Sequence, residues 1–190
     1  INPHFLYNTM DTIYWMSKIG NTKDIEHIVS SMSKLLRLTF SPNNDNVTSL
    51  SEELDHLKAY LEIQEIRYGD SVQFYLHYAG EYDQASVLRF LLQPLVENAL
   101  IHGLKDRPTE TISIEIFREG DFLIYQVKNT GTPIDLDFIS SLLSASETKK
   151  KGFAIRNIDR RLKLKYGDEF GLHYFIEGDF NIFEIKQPIF

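Results

Sequence analysis

The spacing of apolar residues changes once along this 190-residue chain, near residue 70, and that change limits what the chain can fold into. Upstream of it the spacing is helical. Leu6, Met10 and Ile13 fall at i, i+4 and i+7, while His4, Asn8 and Asp11 fall on a different, polar face. Asn2 can cap the free amides of such a helix, Pro3 is tolerated at its first position, and Gly20-Asn21 ends it. A second helix is expected from about Asp24 to Phe40, with Ile25, Ile28, Val29, Met32, Leu35 and Leu36 on one face, broken by the polar stretch Ser41 to Asn46. Ser49 followed three residues later by Glu52 resembles a capping box, introducing Leu50, Leu54, Leu57 and Leu61 in a third helix to about Tyr68.

From Ser71 the pattern alternates. Val72, Phe74, Leu76 and Tyr78 against Gln73, Tyr75 and His77 predict a strand, and residues 84 to 103 predict a helix. Thr111 to Phe117 and Phe122 to Val127 predict a hairpin turning at Gly120. Short helical spacing over Leu136 to Leu143 leads to a polar loop, Ser144 to Lys151, then a helix from Phe153 to Tyr166 stopped by Gly167. A last hairpin, Leu172 to Ile176 and Asn181 to Ile185, turns at Gly178-Asp179. Helices interleaved with hairpins imply an α+β chain: a helical segment over residues 1–69, then a two-layer α/β sandwich over 70–190 with a mixed or antiparallel sheet. Three amphipathic helices in so short a segment bury little alone, so a second copy is expected to complete the bundle as a homodimer.

Composition excludes several classes. A formal charge of −7 argues against a non-specific nucleic-acid binder, which needs a basic face. The absence of cysteine excludes disulfides, cysteine zinc sites and a thiol nucleophile. No apolar run approaches the roughly 20 residues that span a bilayer. The first residue is Ile1, in mid-motif, so a longer parent chain is expected.

Three stretches together resemble one family. Pro3-His4-Phe5-Leu6-Tyr7-Asn8 resembles the phosphoacceptor box of LytS/YesM-type sensor histidine kinases, and Leu35-Leu36-Arg37 and Tyr60 to Arg67 resemble the helical segments that follow it. Gln93 to Gly103 is similar to that family's N box, and Arg156 to Gly167 to the segment after its nucleotide lid. The resemblance covers nearly the whole chain in order. It implies a dimerising phosphoacceptor region followed by an ATP-binding domain of the gyrase, Hsp90, histidine kinase and MutL (GHKL) fold. It also implies ATP and Mg²⁺ as cofactors, a response regulator as partner, and a cytoplasmic position in a membrane-anchored sensor.

The resemblance makes His4 the phosphoryl acceptor. A neutral imidazole is the attacking form, and an unperturbed histidine, with a pKa of about 6.5, is mostly neutral at pH 7. Asn8, one turn on, could orient the ring. Asn98 is the expected Mg²⁺ ligand, with Glu97 a second ligand or proton acceptor and His102 within reach of the nucleotide. Outside the motif, a histidine near a helix start and an Asn–His pair at i, i+4 are ordinarily solvated bystanders.

Four departures from the family pattern matter. Asn129 stands where the pattern has the Asp that accepts a bond from the adenine amino group, a change worth about 1 kcal/mol; Gly131 follows it. Gly152-Phe153-Ala154 replaces the second lid glycine by Ala154, at a cost of about 1–2 kcal/mol if that position needs a positive φ. Ile101 stands where many histidine kinases carry a phosphate-binding Lys, a charge that Lys149 to Lys151 could supply, Lys151 lying next to Gly152. No carboxylate follows His4 to act as general base. Two other readings stay open. One is a non-catalytic dimerisation and signalling module, a pseudokinase with impaired nucleotide binding. The other is a plain ATPase, disfavoured because Pro94 lies where hydrolytic relatives activate water.

Overall fold

A computed structural model describes residues 3–40, 46–104, 108–144 and 152–189. The first helix, α1 (Pro3–Ile19), runs into α2 (Thr22–Thr39) through Gly20 and Asn21. The Asn21 side chain accepts the Asp24 amide at 3.3 Å, so this pair both ends one helix and caps the next. Asn2, read as the cap of α1, lies outside the described residues.

The inward face of α1 is displaced by one residue from the expected stripe of Leu6, Met10 and Ile13. Its buried residues are Phe5 and Thr9, while Met10 is half exposed. Phe5 decides this, packing against the Tyr60 ring with centroids 5.2 Å apart. Tyr7, Tyr14, Trp15 and Ile19 are left pointing outward. In α2 the expected face is buried at Ile28, Met32 and Leu35, whereas Val29 is exposed.

A three-residue strand, β1 (Val47–Ser49), precedes α3 (Leu50–Tyr68). Ser49 caps α3 by accepting the Glu52 amide at 3.2 Å. This helix lies antiparallel to α2, tied by Lys34–Asp55 at 3.0 Å and by Ser31–Glu62. Because it also packs on α1 and on the sandwich, α3 is buried on several sides, Glu53, His56 and Gln64 included.

A single turn of 3₁₀ helix, Gly69–Ser71, leads to β2 (Val72–Tyr78). The remaining elements are β3 (Ser86–Leu88), α4 (Leu92–Gly103), β4 (Glu110–Glu119), β5 (Phe122–Asn129), α5 (Leu136–Ser144), α6 (Phe153–Tyr166), β6 (Leu172–Glu177) and β7 (Phe180–Pro188). The five-stranded sheet has the order β2-β4-β5-β7-β6, mixed as expected: β2 is parallel to β4, and the other neighbours are antiparallel.

The helix expected over residues 84 to 103 is shorter than its apolar spacing suggests. Residues 86–88 instead pair antiparallel with β1, and Phe90 takes a φ of 58°, which no α-helix accommodates. Only from Leu92 does the chain turn helical.

Helices α4 and α6 cover one face of the sheet. Leu95, Val96 and Leu100 of α4 and Ile158 and Leu162 of α6 meet Ile112, Ile114, Val127 and Phe183, all buried, in one core. Each such side chain contributes about 1.5–3 kcal/mol by leaving water. The core runs without interruption to Phe5, Leu35 and Tyr60 of the helical segment. The opposite sheet face is a polar ladder, with Lys128–Glu115 at 2.8 Å and Gln126–Glu184 at 2.6 Å.

Candidate functional site

The candidate site is organised by α4, whose start is fixed from elsewhere in the chain. Leu91, the residue before it, provides no side-chain cap. The Glu53 carboxylate of α3 does so instead, accepting the amides of Phe90 at 2.7 Å, Leu91 at 2.8 Å and Leu92 at 3.1 Å. Burial pushes Glu53 above the ordinary carboxylate range, opposed by these three amides and by the Arg161 guanidinium. Arg161 also donates to the Arg89 carbonyl at 2.5 Å, pinning the approach to α4.

Adjacent positions on an α-helix point about 100° apart, so residues 97 and 98 look into different spaces. Asn98 and His102 line a cleft of about 390 Å³ together with Thr132, Pro133, Ile134, Asp135, Phe138, Ile139, Leu142, Gly152, Ile155 and Phe183. Glu97 and Ile101 line a smaller one, about 60 Å³, with His4, Phe5, Asn8, Tyr60, Gln64, Arg67, Tyr68 and Leu100. Among the described residues, none lines both clefts.

In the smaller cleft His4 lies in the first turn of α1, exposed, with Asn8 Nδ2 at 3.1 Å from Nδ1 and 3.3 Å from Nε2. An amide NH₂ bonds to a ring nitrogen only where that nitrogen is unprotonated, which a neutral imidazole provides. Among the described residues, Glu97 is the sole carboxylate lining this cleft. Burial raises its pKa, and the Gln93 amide, donating to Oε1 at 2.7 Å, acts against the rise. Facing His4 rather than the larger cleft, Glu97 is not placed as a second ligand beside Asn98. Ile101, an exposed residue, also lines the His4 cleft.

The larger cleft has an apolar wall, Phe138, Ile139, Leu142 and Phe183, and a polar edge, Asn98 and His102. Gly152 bounds it with a φ of 73°; a side chain there would meet Leu142, with a β-carbon 2.7 Å from Cδ1. Ala154 sits inside α6 and is not among the described residues with positive φ, so the conditional strain does not arise. Asn129, the last residue of β5, and Gly131 are buried and line neither cleft; Thr132, the residue after Gly131, lines the larger one. Gly131 abuts α4: a β-carbon on it would lie 2.6 Å from the Gly103 Cα. The lysines 149 to 151, Lys151 included, lie outside the described residues. Among those described, no cluster of three or more His, Asp or Glu could hold a metal ion.

Two residues of the site escaped the sequence reading. Arg67, whose guanidinium stacks over Tyr68 at 4.8 Å, brings a cation to the His4 cleft. It lies in a stretch that carried the family resemblance, which was a usable signal. Glu53 gave none, because a glutamate in the first turn of a helix ordinarily faces water.

Comparison with solved structures sets the class. The catalytic domain of histidine kinase ThkA matches 75% of this chain, and 94% of its own, with a TM-score of 0.60 at 16% identity. ThkA in complex with the response regulator TrrA matches 86% of this chain and 49% of its own, with a TM-score of 0.55 at 13% identity. The fold is that of histidine kinase catalytic domains.

Sequence comparison narrows this. Residues 1–72 match the histidine kinase family model. Sensor histidine kinase YesM of Bacillus subtilis is 32% identical over 181 residues, 94% of this chain and 30% of YesM. Sensor protein LytS of Streptococcus mutans is 32% identical over 177 residues, 92% of this chain and 30% of LytS. The chain belongs to the LytS/YesM-type sensor histidine kinases, and it spans about 30% of the length of these relatives. No helix among the described residues is long and apolar enough to cross a membrane.

Proposed function

We propose that this chain is the kinase core of a two-component sensor, with residues 1–69 as the dimerising phosphoacceptor segment and 70–190 as the ATP-binding unit. In this reading the larger cleft takes ATP, His4 takes the γ-phosphoryl group, and a response-regulator aspartate receives it from His4. The observation that carries the reading is the double face of α4, with Asn98 and His102 toward one cleft and Glu97 toward the cleft that contains His4. The complex of ThkA with a response regulator supports the class of partner.

The residues fit the cofactor. The apolar wall suits a base, and Asn98 offers the single amide oxygen that Mg²⁺ needs when phosphates and water fill its other positions. Bound there, Mg²⁺ would neutralise charge on the phosphates. Asn8 holds the imidazole of His4, and Glu97, raised by burial, is the stronger base for its proton. Since no described residue lines both clefts, His4 must cross α4 to reach the nucleotide, or a second copy must deliver its own. The outward row Tyr7, Tyr14, Trp15 and Ile19 on α1 suits such a second copy.

Asn129 in place of an acidic residue favours the non-catalytic alternative, and one titration separates the two. Calorimetry with ADP and a non-hydrolysable ATP analogue, with and without Mg²⁺, should show magnesium-dependent binding that Asn98→Ala abolishes. ATP should then leave an acid-labile label that His4→Ala removes. No binding at millimolar nucleotide would establish the pseudokinase reading, and a label surviving His4→Ala would remove His4 from the role.

A further inference from the structure

Among the described residues, Arg67 supplies the only permanent cation lining the smaller cleft. It is half-buried near the end of α3, and no carboxylate of those residues lies within ion-pair distance of it, although Glu97 lines the same cleft. Its guanidinium is held over the Tyr68 ring, 4.8 Å from the centroid, and stacking on one face leaves the in-plane N–H donors free to bond. Tyr60, Gln64, Arg67 and Tyr68 fall at i, i+4, i+7 and i+8, one face of α3 turned to His4 of α1 and Glu97 of α4. Burial raises the pKa of the Tyr60 hydroxyl; Glu97 adds to the rise, and the Gln64 amide and Arg67 oppose it, so all three act on this ring. Gln64 Oε1 is buried without a partner, so a guanidinium turned inward finds an acceptor in the wall as well.

The cleft, about 60 Å³, has room for roughly two waters, and a phosphoryl group is of that order. On a side chain such a group carries about −1.5 to −2 charges at pH 7, and Glu97 beside it would repel that charge. A guanidinium offsets the repulsion and offers phosphate a forked pair of donors. Arg67 does not line the larger cleft, so its charge is placed for the phosphoryl group after transfer and not for the phosphates of a nucleotide. We propose that Arg67 binds the phosphoryl group carried by His4, which makes the smaller cleft the resting place of the phosphohistidine. This rests on the reading of His4 as acceptor and is independent of the nucleotide cleft.

The test therefore dispenses with nucleotide. The whole chain is treated with phosphoramidate: a neutral ring nitrogen forms the new N–P bond, the N–P bond of the reagent breaks, ammonia leaves, and the ring proton goes to water. H4A identifies the His4 signal by phosphorus NMR, and the exposed His27 and His77 serve as references. The signals are followed with pH across the second phosphoryl pKa, about 6. In R67Q the phosphoryl group on His4 should titrate about one pH unit higher than in the parent, with the references unmoved. R67K, which keeps the charge without the fork, should fall between the two. Phosphorylation should also raise the melting temperature of the parent, by tying α1 to α3, and should not raise that of H4A treated in the same way.

An unchanged titration in a folded R67Q would overturn the proposal, as would a shift shared by the reference signals. The melts of the parent decide the case even where R67Q fails to fold: a phosphorylated parent that melts no higher than the unmodified one refutes the contact. A His4 left unmodified while His27 reacts shows a cleft that excludes the group, and has the same consequence. Loss of the nucleotide site in the calorimetric titration leaves all of these outcomes readable.

Discussion

Replacing Glu53 by Ala tests whether α4 is held from outside. The carboxylate receives three backbone amides at 2.7, 2.8 and 3.1 Å, and no other side chain caps the helix. Removing it leaves three amides at a buried helix start without an acceptor. Bonds to a charged group contribute about 1.5–3 kcal/mol each, and an orphaned buried donor costs about 1–3 kcal/mol. These terms overlap, and truncating one side of such an array costs about 3–5 kcal/mol. That is a third or more of an ordinary domain's stability, about 5–15 kcal/mol. Glu53→Gln keeps one oxygen, the acceptor for Leu91 and Leu92, but turns an NH₂ toward the Phe90 amide, and should cost about half as much.

Urea unfolding with an unchanged slope measures both variants, and hydrogen exchange of the α4 amides localises the loss. Burial raises the Glu53 pKa in the fold above 4.5, so its contribution is full below pH 4.5 and declines as pH rises through the folded value. The deficit of the Ala variant should narrow over the same window. A cost under about 1 kcal/mol for Glu53→Ala would refute the capping argument, since even one orphaned amide exceeds it.

Two further outcomes follow from other parts of the fold. Burial holds His56 down to about 4 from 6.5, with its ring against Phe90 and Thr39; the neutral form is favoured, so stability present above pH 6.5 is lost on acidification. The parent should lose about 2 kcal/mol between pH 7 and 5 through this group, and a His56→Leu variant with the same acid loss would contradict that. Trp15 is 67% exposed on the outward row of α1, so Trp15→Glu should weaken self-association at least about tenfold in sedimentation while leaving monomer stability within about 0.5 kcal/mol. Unchanged association would remove that face from the proposed dimer.

Strongly periodic segments were legible from the residues alone. The third helix starts at its Ser49 cap and ends at Tyr68 as read, the alternation from Val72 to Tyr78 is a strand over the same residues, and α6 runs from Phe153 to Tyr166 as read. The β1–β3 ribbon was not legible, because two three-residue strands carry no period and their pairing partner lies far along the chain. Leu88, Leu91 and Leu92 imitate a helical face there, and only Phe90's φ and the distant Glu53 set the true start. On α1 the period was right and the phase was not, because one aromatic contact with Tyr60 turned the helix.

The chemistry divides the same way. Sequence by itself determined which residue types are present in motif order: His4 with Asn8 one turn on, Glu97 beside Asn98, and Asn129 where an acid is expected. Tertiary structure decided which of them meet. It set Glu97 facing His4 and Asn98 facing the other cleft, and brought Arg67 to the cleft of His4. Local spacing fixes where a side chain points on its own helix or strand, while its neighbour depends on packing between elements distant in sequence, which no single stretch encodes.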